Sequence, residues 1–99
     1  MLSKSPSLEL KLQASHLVDA LQRNVTANLS AASVEIIGNS VTVRLYYRSP
    51  LPKRDDEHLN DIKVEFEALQ TNMRAEPFVL RSDQEERSDS EYLVYQKRT

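Results

Sequence analysis

The sequence predicts an α+β fold, a two-layer sandwich in which two helices cover one face of a mainly antiparallel sheet of four to five strands. Two observations predict it. Apolar residues fall on every second position through residues 32–48, which is the period of a strand with one buried face. In two other segments they recur at steps of three and four, which is the period of a helix with one buried face.

The alternating stretch predicts a β-hairpin, because Gly38 and Asn39 interrupt it near its middle. Glycine adopts a positive φ without steric cost, which suits the first position of a two-residue turn. The pairs expected across this turn are Ile36–Val41, Val34–Val43 and Ala32–Leu45 on an apolar face, and Glu35–Thr42 and Ser33–Arg44 on the other face. A turn at Asn39 and Ser40 preserves these faces, whereas a three-residue loop does not. Parity therefore excludes the odd loop and leaves both even turns open.

The first helix is predicted after residues 1–6, which we interpret as a flexible leader. Its apolar stripe consists of Leu10, Ala14, Leu17, Val18, Leu21, Val25 and Leu29. Gln13 and His16 fall outside that stripe. The start is ambiguous because Leu8, Leu10 and Leu12 also alternate with charged residues, so residues 7–13 are either helix or an extra N-terminal strand.

The second helix is predicted between the proline-containing connection at residues 49–52 and Pro77, with Asp55 as its N-cap. Its apolar stripe consists of Leu59, Ile62, Phe66, Leu69 and Met73. A strand over residues 61–69 is the alternative, since Ile62, Val64, Phe66 and Ala68 also alternate. The helical pattern is the longer of the two and is preferred.

Residues 78–81 and 92–95 are rich in β-forming side chains and predict a second hairpin, joined by an exposed acidic loop at residues 82–91. The order is then α-β-β-α-β-β within a single domain of residues 1–99. With an N-terminal strand this layout resembles the ferredoxin-like fold, and without one it resembles a permuted relative. Such a likeness of layout implies no activity.

Composition excludes several classes of site. The chain has no cysteine, so disulfides, thiolate metal sites and thiol nucleophiles are absent, and its single glycine excludes glycine-rich phosphate loops. His16 and His58 are interpreted as helix-surface residues, because neither belongs to a recognised ligand spacing. We therefore expect no enzyme activity, catalytic residue, cofactor, metal or small-molecule ligand. No signal sequence or membrane-spanning stretch is evident, which predicts a cytoplasmic protein without a membrane partner.

The outward row of the first hairpin is the predicted partner-binding surface. It contains Thr42, Arg44, Tyr46 and Arg48, which should point away from the helices on a sheet face without a covering layer. Tyrosine and arginine are enriched at protein interfaces. We therefore expect a protein-interaction or accessory-subunit protein that binds a partner or forms a homodimer. Nucleic-acid binding through the same row is the alternative, which the net charge of −2 argues against.

Overall fold

The computed structural model of the chain describes residues 7–22, 28–48, 52–53, 56–71 and 73–97. They form an α+β fold of two helices and one open sheet. The elements, in chain order, are α1 (Leu8–Leu21), β1 (Leu29–Ile37), β2 (Ser40–Tyr47), α2 (Glu57–Ala68), β3 (Arg74–Ser82) and β4 (Tyr92–Gln96). The predicted leader at residues 1–6, most of the connection at residues 49–52 and the predicted cap Asp55 lie outside the described residues.

The sheet is mixed, so the expectation of a mainly antiparallel sheet was wrong. Its described strands stand in the order β3-β2-β1-β4. β1 pairs antiparallel with β2 and with β4, whereas β3 pairs parallel with β2. The prediction of a second hairpin is also wrong, because β3 and β4 form opposite edges of the sheet. The reason is α2, a helical crossover that returns the chain to the starting end of β2 and thereby imposes a parallel pairing.

The first hairpin has the predicted register. Ile36 pairs with Val41, Val34 with Val43 and Ala32 with Leu45, and Glu35–Thr42 and Ser33–Arg44 pair on the other face. Ile37 pairs with Ser40, so the turn is Gly38 and Asn39 and the shifted turn is excluded. Gly38 has φ of 60°, the positive value expected at the first turn position.

Both ambiguous segments are helical. Residues 8–13 belong to α1, whose N-cap Ser7 accepts a hydrogen bond from the Leu10 amide at 3.0 Å. Residues 61–68 belong to α2, whose N-cap is Asp56, which accepts from the His58 amide at 2.9 Å. α1 ends at Leu21, earlier than its apolar stripe indicated, because Leu29 already begins β1. Val25 lies outside the described residues.

The core lies between the helices and one face of the sheet. Its buried members from the two helices include Leu17, Leu21, Ile62 and Phe66, and those from the hairpin include Val34, Val41, Val43 and Leu45. Phe66 also meets Phe78 of β3 edge to face, with ring centroids 5.8 Å apart. Since one sheet face carries this core, the opposite face, which we call the outer face, carries the polar residues of the same strands.

Candidate functional site

Residues 83–91, which we call the crossing segment, lie over the outer face. β3 and β4 run in the same direction at opposite edges of the sheet, because both are aligned with β2 through the pairings just given. The chain must therefore return from the end of β3 to the start of β4. Its contacts with Ser33 and Tyr46, both on the outer face, show that it returns over this side.

Glu91 fixes the second end of the crossing segment. Its Oε1 atom accepts hydrogen bonds from the Ser33 hydroxyl at 2.6 Å and from the Tyr46 hydroxyl at 2.5 Å, and its Oε2 atom accepts from the Ser88 amide at 2.7 Å. Burial opposes ionisation of this carboxyl, but the bonds from Ser33, Tyr46 and Ser88 outweigh it and lower the Glu91 pKa. Glu91 is therefore held as a charged carboxylate against the sheet.

Asp83 fixes the first end. Its amide donates to the Tyr47 carbonyl oxygen at 2.9 Å, and its carboxylate accepts from the Ser30 hydroxyl at 3.0 Å. Between the two anchors, residues 84–90 are exposed. The predicted acidic loop is thus exposed in its middle and attached to the sheet at both ends.

An ion pair lies beside the Glu91 contacts on the outer face. Arg44 Nη1 and Glu35 Oε1 are 2.7 Å apart, and each side chain is 16% exposed. The pKa of Glu35 is lowered, first by a hydrogen bond with the Ser90 side chain and further by Arg44. In contrast, the pKa of Tyr46 is raised to about 12, by burial and then by its hydrogen bond to the Glu91 carboxylate.

The four residues predicted to bind a partner do not form an open surface. All belong to the outer side of β2 or follow it, but Tyr46 is 2% exposed and Thr42 is 4% exposed. Arg44 is engaged by Glu35, and only Arg48 is freely exposed. The expectation of an uncovered sheet face was therefore wrong, because the polypeptide between β3 and β4 covers it. With its ring buried, Tyr46 offers no face on which a nucleic-acid base could stack.

A second candidate site is a groove at the β3 edge of the sheet. It lies between α2 and the edge strand β3 and contains two cavities of about 330 and 610 Å³, which adjoin because both are lined by Lys63 and Phe78. The smaller cavity is completed by Leu59, Asn60 and Leu80, and the larger by Ile37, Ser40, Thr42, Glu67 and Ala75. Of the predicted partner-binding residues, Thr42 alone reaches this groove.

The cavity at the opposite edge of the sheet, beside β4, is smaller than either cavity of the groove. It has a volume of about 250 Å³ and lies between β4 and α1, lined by Val18, Leu21, Gln22, Val94 and Tyr95. β4 has five residues, and its register with β1 shifts between Ala32 and Ser33. Short length and irregular register both weaken an edge as a template for another strand.

The described residues contain no cluster of three or more histidine or acidic side chains arranged to hold a metal ion. Within the same part of the chain, no helix has the length and apolar character needed to cross a membrane. His16 is half-buried and His58 is exposed, and they lie on different helices.

Sequence reasoning missed both the groove and the role of Glu91. Phe78 and Leu80 were predicted to lie in a strand paired with residues 92–95, which is the wrong neighbour, and Lys63 gave no signal by itself. One available signal for Glu91 was the length of the segment between β3 and β4, since nine residues exceed an ordinary hairpin loop. Comparison with family models, with curated proteins and with solved structures finds no match to this chain.

Proposed function

We propose that this protein is a non-enzymatic protein-interaction module, of the kind found as an accessory subunit, which binds an extended segment of a partner in the groove between α2 and β3. In this mode the incoming segment adds to the edge of the sheet as a further strand, and its alternate side chains enter the cavities beside the helix. The observation that carries the proposal is the pair of adjoining cavities along an edge strand.

The regular part of β3 supports strand addition. Residues 78–82 follow the register of β2 from Val43 to Tyr47 without interruption, whereas the register shifts between Val41 and Val43. No described strand pairs with the free edge of β3, the edge that faces away from β2. Pro77 lacks a backbone donor, and proline is typical of edge strands and of bulges. We therefore place the added strand beside residues 78–82.

The lining of the groove defines the chemistry of the segment. Phe78 and Leu80 point toward the helices and pack against the core, and Leu59 closes the smaller cavity from α2. These side chains favour an apolar residue in that cavity. Same-side residues of a strand are about 7 Å apart, so the next such residue reaches the larger cavity. The exposed Lys63 lies where the cavities meet and favours a carboxylate in the segment.

The test starts from a displayed library of random linear peptides selected on the purified protein. We expect enriched peptides to carry apolar residues at alternate positions and an acidic residue among them. A synthetic peptide from the selection should shift the amide resonances of residues 78–82 and of α2 in a heteronuclear NMR titration. The opposite edge at β4 serves as the internal reference.

Lys63→Glu should lower the affinity for this peptide about tenfold or more, because a favourable charge contact becomes repulsive. A tenfold change corresponds to about 1.4 kcal/mol of binding free energy. The matched control is Lys11→Glu, which makes the same charge change at an exposed position of α1. The proposal fails if the selection enriches nothing above background, if the shifts map to β4 or the outer face, or if the two charge variants weaken binding equally.

A further inference from the structure

The groups that attach the crossing segment to the outer face are polar. Beneath the segment are the Ser33 hydroxyl, the Tyr46 hydroxyl and the ion pair between Arg44 and Glu35. Water can satisfy these polar groups when the segment is absent, so the main hydrophobic cost of opening is exposure of the buried Tyr46 ring. The segment is thus attached mainly by hydrogen bonds, and two of them, from the Ser33 and Tyr46 hydroxyls, converge on the carboxylate of Glu91.

The crossing segment is also longer than its path requires. Three strand spacings separate β3 from β4, about 14 Å in all. Ser82 is level with Tyr47 and Tyr92 is level with Val34, four residues lower along the hairpin, which adds about 13 Å along the strands. The ends are therefore about 19 Å apart, whereas the intervening chain can reach about 33 Å. It can rise from the sheet while β3 and β4 stay paired.

One polar group favours this movement. Arg81 Nε is buried and has no hydrogen-bond partner within the described residues, although Arg81 Nη1 lies 3.7 Å from Glu85. A buried donor without a partner carries a free-energy penalty, which contact with water would remove. Arg81 is paired with Tyr46 in the sheet, so this donor belongs to the same covered region.

From these observations we infer that the crossing segment is a releasable cover held closed by Glu91, and that its release exposes Tyr46 and Arg44 while the core remains folded. The inference is independent of the proposed peptide groove, which lies at the edge of the sheet. It also gives the Arg44 and Tyr46 surface two states, one closed and one open to solvent.

The absence of cysteine from the chain allows a direct test by thiol labelling. Ser33→Cys places a thiol under the cover and removes one of the two sheet hydroxyls that bind Glu91, so the Tyr46 hydroxyl alone then holds Glu91 to the sheet. Val34→Cys places a thiol in the core at the adjacent residue. Both native side chains are fully buried. Each variant is treated with a thiol reagent under native conditions over a series of low urea concentrations. The Ser33→Cys thiol should react at least tenfold faster, with a weaker dependence on urea, because local opening exposes much less surface than global unfolding.

Glu91→Gln is then introduced into the Ser33→Cys protein, where it should accelerate labelling about tenfold, since hydrogen bonds to a charged acceptor are about twice as strong as neutral ones. Glu86→Gln, in the exposed middle of the segment, is the matched control and should leave the rate unchanged. Equal rates and equal urea dependence at positions 33 and 34 would mean that only global unfolding exposes the outer face. That result, or a rate unaffected by Glu91→Gln, overturns the inference.

Discussion

Tyr46→Phe removes one hydroxyl and leaves the buried ring in place, so it isolates the bond between the sheet and Glu91. The Tyr46 Oη to Glu91 Oε1 distance is 2.5 Å and Tyr46 is 2% exposed. A hydrogen bond to a charged group contributes about 1.5–3 kcal/mol. Because Glu91 keeps its bonds from Ser33 and from the Ser88 amide, we expect the lower end of this range. The free energy of unfolding should fall by about 1.5 kcal/mol.

The same variant should change the response to acid. The pKa of Glu91 is lowered in the folded protein, so the charged form stabilises the fold. This contribution is present above the unfolded pKa of 4.5 and is lost as pH falls through the folded pKa. Tyr46→Phe removes one cause of the lowered pKa. The stability difference between the wild type and the variant should therefore shrink below about pH 4.

Urea unfolding of both proteins at neutral pH and at a series of acid pH values measures these differences. Tyr47→Phe is the control, since it removes a phenol hydroxyl from the adjacent residue, which belongs to the core on the opposite face. A loss below about 0.5 kcal/mol for Tyr46→Phe, where a charged hydrogen bond is worth about 1.5 kcal/mol or more, would contradict the reasoning. So would a difference that stays constant from neutral pH to acid.

Three further predictions concern the scaffold. Gln13→Leu should lower the free energy of unfolding in urea by about 1–3 kcal/mol, because it removes one side of the amide pair with Gln70. The double variant Gln13→Leu/Gln70→Leu should recover most of this loss, and additive losses would contradict the prediction. Gly38→Ala should lower the free energy of unfolding by about 1–2 kcal/mol because residue 38 has a φ of 60°, since an added Cβ meets no atom within 4 Å. An unchanged midpoint in thermal or urea unfolding would refute this prediction. Burial raises the Tyr47 pKa to about 12, so the neutral phenol stabilises the fold below pH 10, and this contribution should be lost between pH 10 and 12. Phenolate absorbance should rise as the protein unfolds, and earlier ionisation of Tyr47 without unfolding would refute the prediction.

Local patterns predicted the hairpin and the helices because they depend on near neighbours. Gly38 sets the turn, and the two-residue period then determines each pair from Ala32 to Leu45. The same reasoning misplaced Gln13, which lies outside the apolar stripe but is 1% exposed, because its amide is paired with Gln70, 57 residues away. A polar residue buried by a distant partner leaves no periodic signal.

The strand neighbours of β3 and β4 could not be predicted in this way. β3 reads as one half of a hairpin because the next β-rich segment is β4, and only the crossover through α2 assigns β3 to the opposite edge. That assignment determines where the crossing segment lies, and hence that Tyr46 is covered. The candidate groove has the same origin, since Lys63 and Phe78 meet only after α2 packs beside β3. Both sites therefore depend on long-range pairing.

The pairing of β1 with β4 has a kinetic consequence. Ala31 meets Gln96 across 65 residues of chain, whereas the β1 and β2 partners are separated only by their turn. Closing so long a loop is entropically costly, so β4 should join the sheet after the folding barrier has been crossed. Substitutions that weaken this edge, such as Leu93→Ala, should then speed unfolding and leave the refolding rate nearly unchanged in stopped-flow measurements. The lifetime of the native state would be governed by the last strand to dock.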